Sequence, residues 1–382
     1  MESETKGYLF IVLGIFIFII SLITFFSMNK ITKTNLSSTQ DILEQCNILQ
    51  YNGPAKINML FFANKEAAQR YTDFFLKSNP FNKNKEAFNF YYLDSYEPNC
   101  QFYKGIAILC QSDELIRKAA SCPHDFIIVL KDEDDRIRSS SYLNVLSINS
   151  RHLLTVLIHE FGHSFANLAE EYTPAKLPRG QPNCKIKCSD FKEEIDGCFQ
   201  ECSETTYYRS VDKGIMRTLT PEDMDKPYGT FNTGVIQELI LERLAVNFNE
   251  PITGKVTNEL RICSEEQYIL SDIEIKEGIS KVNNIVLPGC LSGTTGKGDY
   301  TYKILDKEED IIRTDDFNAN LYSDVQNEEL NQLEGETFSH DEVGRIILTL
   351  PVEGDKLIVT DSNNKEIIQT TLYDAGARPC PA

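Results

Sequence analysis

Positive charge is scarce in this chain: 38 Lys and Arg stand against 57 Asp and Glu over 382 residues, a formal net charge of -19. Such a surface repels phosphate, which argues against nucleic acid as a partner. Histidine is scarcer still, with five in the whole chain. No internal repeat of fixed period and no low-complexity tract is present, so a repeat array is excluded. Charge is missing altogether from Tyr8 to Met28, YLFIVLGIFIFIISLITFFSM. At ~1.5 Å per residue, a helix of about 21 residues crosses a ~30 Å hydrocarbon core. A buried core helix would carry a polar stripe, which this run lacks. A cleaved signal peptide is the nearer alternative. The run is long for a signal, however, and no small-x-small site precedes Asn29, so a retained transmembrane anchor is expected over residues 1–29.

Cysteine, by contrast, is plentiful, at 11. That number suits an oxidising compartment, in which most thiols pair. Lys30 and Lys33 outnumber Lys6 across the apolar run, and positive-inside counting would place the bulk of the chain inside. The cysteines point the other way, to a cell-membrane protein with its folded part extracytoplasmic. Four of them cluster as NCKIKC and GCFQEC (Cys184, Cys188, Cys198, Cys202). They make either a second, structural zinc site or two disulfides stapling a loop. Spacings of three, read as paired short helices, favour disulfides over a zinc knot. The total is odd, so at least one thiol is left over.

Hydrophobic residues at 41% and charged residues at 25% describe a chain that buries a core. Its length accommodates two domains and an anchor. Residues 30–52 are polar and read as a stalk. From residue 53, strand-like runs alternate with helical ones. KINMLFFAN (56–64), FNFYYLD (88–94) and DFIIVLKD (125–132) are strands, and Lys65 to Leu76 is a helix. YLNVLSIN (142–149) alternates as an edge strand would. Arg151 to about Ala169 is the next helix, and Gly234 to Val246 another, capped by Asn232 or Thr233. That order implies an α/β sheet domain over 53–249. After Pro251 only short strands follow (TYKILD, RIILTLPV, KLIVTD, EIIQTTLYD), which suggests a separate β-sandwich-like domain over 250–382.

HEFGH sets His159 and His163 four residues apart on a helix. They lie ~40° apart on one face, so two imidazoles can converge on one Zn2+. Glu160, one step round, is placed to act as general base on a water activated by the metal and to pass its proton to a leaving amine. Two of only five histidines fall in this pattern. His124, His152 and His340 are isolated and read as ordinary surface or core residues. A third ligand is required, and Glu170 and Glu171 in HSFANLAEEY are the candidates. On a straight helix Glu170 would lie ~10 Å from His163, so the helix must end between them. Asn167 suits that end because Asn tolerates the left-handed conformation.

HEFGHSFANLAEEY resembles the signature of the IgA-peptidase family of metzincin-like zinc metallopeptidases, in Phe161, Gly162, Phe165, Leu168, Glu171 and Tyr172. It departs from that pattern at Asn167, where the family has Gly, and at Glu170, where it has Asp. The resemblance implies a metzincin-like catalytic domain, a twisted mixed sheet above a zinc-binding helix. It also implies Glu170 as third ligand, three residues after the turn position. GIMRTL (214–219) is similar to the methionine turn of such enzymes and puts Met216 beneath the metal. A substrate strand would pair with the edge at 142–149. The implied function is a membrane-anchored zinc endopeptidase acting on extracytoplasmic proteins or peptides. The alternative is a surface adhesion or binding protein with a structural metal site, against which an intact Glu160 argues.

Overall fold

Three nearly unbroken apolar runs, INMLFF, FNFYYL and FIIVLK, build the centre of the fold. Runs of this kind, buried on both faces, belong to parallel sheets covered by helices. In the computed structural model, residues 43–249, 262–276, 279–293, 297–327, 332–361 and 363–373 are described. The expected anchor over 1–29, most of the stalk, the boundary near 250 and Cys380 lie outside them. Among the described residues no helix is long and apolar enough to cross a membrane.

Among the described residues the first elements are β1 (Asn47–Gln50), β2 (Ile57–Phe62), helix α1 (Lys65–Phe75) and β3 (Phe88–Leu93). Asn64 caps α1, its side-chain oxygen accepting from Ala67 N at 2.9 Å. A small hairpin of β4 (Gln101–Tyr103) and β5 (Ala107–Leu109) precedes α2 (Asp113–Ala119). Then come β6 (Phe126–Lys131), β7 (Ser139–Tyr142), β8 (Val145–Asn149) and α3 (Thr155–Ala166). The cysteine-rich segment is a two-stranded ribbon, β9 (Phe199–Cys202) with β10 (Glu204–Arg209), not a pair of helices. Helix α4 (Gly229–Asn249) starts five residues earlier than its apolar pattern suggests. Its first turn is held from outside: the Asp196 carboxylate accepts from the Thr230 backbone N–H and, at 2.6 Å, from its hydroxyl. A cap borrowed from another loop leaves no local signal.

The C-terminal part contains β11 (Gln267–Lys276), β12 (Ile279–Pro288), β13 (Tyr300–Leu305), β14 (Ile311–Phe317), β15 (Leu321–Asn327), β16 (Gln332–Phe338), the single turn α5 (His340–Val343), β17 (Arg345–Pro351), β18 (Lys356–Asp361) and β19 (Glu366–Thr371). Two antiparallel sheets, β12-β11-β17 and β14-β13-β18-β19, share one apolar cluster of Ile269, Ile273, Tyr302, Ile304, Leu350 and Val359, among others. Strands β15 and β16 do something else. They join the first sheet, whose order is β1-β3-β2-β6-β8-β7-β15-β16.

That sheet is mixed, with β3, β2, β6 and β8 parallel and β7, β15 and β16 alternating in direction. Helix α3 packs against β7 and β8. The segment 142–149, expected as an edge, is interior: β8 lies between β6 and β7, and every residue of the segment is buried. Its alternation comes from polar residues satisfied by protein rather than by water. The Ser147 hydroxyl accepts from Cys110 N at 3.2 Å, and Asn149 Nδ2 donates to the carbonyls of Asp134 and Ile137 at 3.0 and 2.9 Å. The true edge strand beside α3 would be β7, and β15 covers it.

Candidate metal centre

All of α3 is buried, so its polar residues have protein neighbours or none. His159 and His163 stand one turn apart, with Nε2 atoms 3.2 Å from each other. Each ring is fixed through its other nitrogen. His159 Nδ1 lies 2.9 Å from the carbonyl of Ile215, and His163 Nδ1 lies 2.6 Å from that of Leu168. A carbonyl only accepts, so both Nδ1 atoms carry a proton, and each ring when neutral turns its Nε2 lone pair inward. Two lone pairs at that distance repel unless a proton or a metal cation lies between them.

The helix ends at Asn167, which adopts the left-handed conformation (φ 51°, ψ 34°) and donates its N–H to the His163 carbonyl at 3.0 Å. The reversal brings Glu170 back to the histidines. Its Oε1 lies 2.8 Å from His163 Nε2 and 3.8 Å from His159 Nε2. Glu171 points elsewhere. Its Oε1 accepts from Asn183 Nδ2 at 3.0 Å and from Asn232 Nδ2 at 2.9 Å, tying two segments together. Glu170 is therefore the carboxylate brought to the histidines, and Glu171 is a strut.

A fourth member was not foreseen. Asp324, on β15, has Oδ2 3.5 Å from His159 Nε2, and its Oδ1 accepts a short hydrogen bond from the Tyr172 hydroxyl. Ligand atoms of His159, His163, Glu170 and Asp324 all lie within 4.8 Å of one another. The donor set fits zinc: bonds of ~2.0–2.1 Å at a tetrahedral angle separate two donors by ~3.3 Å. Nothing local marks Asp324, which lies 152 residues beyond Tyr172 in an ordinary strand. The one signal is its place in an alternating run. Tyr322, Asp324 and Gln326 share a face, and Tyr322 stacks on His163 with ring centroids 3.9 Å apart.

The charges at the centre are poorly balanced by the protein alone. Neither oxygen of Glu160 or Glu170, nor Oδ2 of Asp324, has an aligned hydrogen-bond donor. Burial pushes Glu160 well above the usual carboxylate range, against the pull of His159, and the charges of Asp324 and Glu170 add to the shift. Burial and the Asp324 charge do the same to Glu170. Burial holds His163 down at about 4, so it stays neutral and able to ligate. Buried acids without donors, converging with two inward lone pairs, are what a metal cation would satisfy.

Beneath the histidines lies the segment 214–219, with Met216 fully buried. A Cβ on Gly162 would meet Met216 Sδ at 3.0 Å and Tyr228 Cε1 at 3.2 Å, so the glycine is what lets the segment close against the helix. The clustered cysteines pair as Cys184–Cys202 and Cys188–Cys198 and leave no thiolate for a second zinc. Three further disulfides, Cys46–Cys122, Cys100–Cys110 and Cys263–Cys290, suggest an extracytoplasmic protein. The cysteine ribbon also holds the ligand segment. Asn183 Oδ1 accepts from Ala169 N at 2.7 Å, and Ser203 Oγ donates to the Glu170 carbonyl at 2.7 Å. His124 and His152 stand apart, bonded to the Cys122 carbonyl and to Ser139 and the Asp135 carbonyl. The His340 side chain lies outside the described residues. No protein-family model and no curated protein matches this chain.

Proposed function

We propose that this chain is a membrane-anchored zinc endopeptidase of metzincin-like type, acting on extracytoplasmic proteins or peptides. The observation that carries the proposal is the pair of imidazoles whose Nδ1 protons are held by backbone carbonyls while their Nε2 atoms meet 3.2 Å apart beside Glu170. Glu160, next in sequence to a ligand and fully buried without an aligned donor, supplies the base.

The roles follow from position. His159, His163 and Glu170 would hold the ion, and the left-handed turn at Asn167 sets the third of them. When bound, zinc supplies Lewis acidity, polarising the scissile carbonyl and acidifying the attacking water. Glu160 takes the proton of that water and hands it to the leaving amine, a task suited to a carboxyl raised by burial. The carbonyls of Ile215 and Leu168 keep both imidazoles in the ligating tautomer. Met216 and Tyr228 support the helix from below.

A closed structural site in a surface adhesion protein is the second reading. One observation favours it: Asp324 makes a fourth protein ligand available, as structural sites have and catalytic sites lack. Glu160 weighs against it, because a structural ion needs no unpaired carboxyl beside it. The full chain in detergent, compared with Glu160→Gln, tests the enzyme. Zinc retained by both, with cleavage of casein reduced ~100- to 10,000-fold in the variant, is the outcome expected of a lost general base. Equal cleavage by the two proteins would exclude Glu160 as the base.

A further inference from the structure

The catalytic residues are sealed. His159, Glu160, His163 and Glu170 have no exposed surface and Asp324 only 2%. A peptidase must admit a polypeptide strand, so something occupies its path. On the assumption that the site is the peptidase centre argued above, we infer that the β15–β16 hairpin is an internal plug that keeps the enzyme latent. Asp324 takes the position left for water and substrate.

Four observations converge on this. First, β15 runs antiparallel along β7, pairing Tyr322 with Ser141, Ser323 with Ser140 and Asp324 with Ser139. It thus uses the β7 edge beside the metal helix, the edge an extended substrate needs. Second, the hairpin reaches the opposite wall as well. Gln326 Oε1 accepts from Leu219 N at 2.7 Å, and Leu333 N donates to the Arg217 carbonyl at 2.7 Å. It therefore spans the cleft from β7 to the segment under the metal.

Third, the metal cluster is complete only with the hairpin in place. Catalytic zinc keeps three protein ligands and an open fourth position, and Asp324 Oδ2 fills the fourth. Fourth, the hairpin is shaped for that carboxylate. Gly335 sits opposite Asp324 in the register, and a Cβ there would fall 1.9 Å from Asp324 Oδ1, 2.3 Å from the Ser323 carbonyl of the facing strand and 2.6 Å from the Tyr172 hydroxyl. Only a residue without a side chain leaves room for the Asp324–Tyr172 bond.

The two ends of the plug are anchored away from the site. Leu321 and Phe338, at its two ends, are buried in the cluster between the C-terminal sheets. Asn318 Nδ2 ties its entry to Asn167 Oδ1 at 2.7 Å, at the end of the metal helix. Within the core around the metal helix, Leu333 is its apolar foothold. Withdrawal of the hairpin frees the β7 edge and the fourth position in one movement.

The test uses the zinc-loaded full chain in detergent and a fluorescent peptide hydroxamate, which needs both the open position and the strand edge but no bond cleavage. Wild type, Asp324→Ala and Gly335→Ala are compared for hydroxamate affinity, zinc per chain and thermal midpoint. Asp324→Ala is expected to keep one zinc and to bind the hydroxamate roughly 100-fold tighter, as a site open about 1% of the time would when freed. Gly335→Ala, which retains every cluster residue, is expected to gain affinity too, and it carries the test if Asp324→Ala does not fold. Unchanged hydroxamate affinity in folded variants, or loss of zinc from Asp324→Ala, would overturn the plug and make Asp324 a permanent ligand. Tight hydroxamate binding without cleavage of casein supports the plug while counting against the endopeptidase reading.

Discussion

Two adjacent glutamates, both fully buried, should respond in opposite ways to the same substitution. Glu170→Gln weakens an oxygen that lies 2.8 Å from His163 Nε2 in the metal cluster. Zinc in all-protein sites binds with ~10–16 kcal/mol at neutral pH. Shared over four ligands, one is worth ~2.5–4 kcal/mol, or ~60- to 700-fold in affinity. Glu171→Gln leaves the cluster alone and acts on stability. Its Oε1 accepts from two buried amides at 2.9 and 3.0 Å. Changing each from a charged to a neutral bond costs ~1–1.5 kcal/mol, so ~2–3 kcal/mol for both. Relief of a carboxylate that burial has pushed upward returns part of this, leaving a net loss of ~1–2 kcal/mol. Competition with a chromophoric chelator reads the first effect and the thermal midpoint reads the second. A Glu171→Gln protein that loses zinc as readily as Glu170→Gln would refute the assignment of ligand and strut.

Removing the metal with a chelator should lower the melting temperature. Zinc at ~1,000 times its dissociation constant stabilises by ~4 kcal/mol, and at ~2 °C per kcal/mol the shift is roughly 8 °C. Replacing Cys46 and Cys122 by serine opens a loop of sequence separation 76. The chain-entropy relation puts that loss at about 4.5 kcal/mol, read by urea titration, with no change in zinc content. Gly162→Ala should destabilise by ~1–3 kcal/mol, because the added methyl group meets Met216 and Tyr228. Thermal melts of the zinc-loaded variant check this, and a stabilised variant would mean that helix propensity outweighs the crowding. His152 is half-buried between Ser139 and the Asp135 carbonyl, and burial lowers its pKa. The unfolded chain then takes up the proton first as pH drops below ~6.5, so His152 removes stability in that window. Melts at pH 7.5 and 5.5 should show a smaller fall for His152→Gln than for wild type.

The parts legible in sequence were those whose cause is local. Buried parallel strands announce themselves as apolar runs, and β2, β3 and β6 fall within a residue or two of the bounds of KINMLFFAN, FNFYYLD and DFIIVLKD. The convergence of His159 with His163 follows from helical spacing, and the turn at Asn167 from a residue that accepts positive φ. What escaped has distant causes. The start of α4 depends on Asp196, more than thirty residues upstream. The burial of 142–149 depends on hydrogen bonds from Cys110 and to Ile137. Strands β15 and β16 were not among the strands read in the C-terminal region, and nothing in LYSDVQN says which sheet it will join. Register between strands far apart in sequence is a tertiary choice.

With both imidazoles neutral, Glu160, Glu170 and Asp324 ionised would place three negative charges in a fully buried space. A divalent cation leaves one in excess, and burying unbalanced charge is costly. Replace Asp324 by a neutral water and the sum is zero, with three protein ligands and one free base. If this is the peptidase centre proposed above, the charges close without Asp324 and exceed those of the ion by one with it. The excess is tolerated because the Tyr172 hydroxyl donates to the far oxygen of Asp324. Imbalance at the fourth position, offset by one hydrogen bond and a glycine that makes space for it, is what the proposed plug requires of a ligand that can leave. His159, His163 and Glu170 are held by the helix, its turn and the cysteine ribbon. Asp324 alone arrives on a hairpin rooted elsewhere.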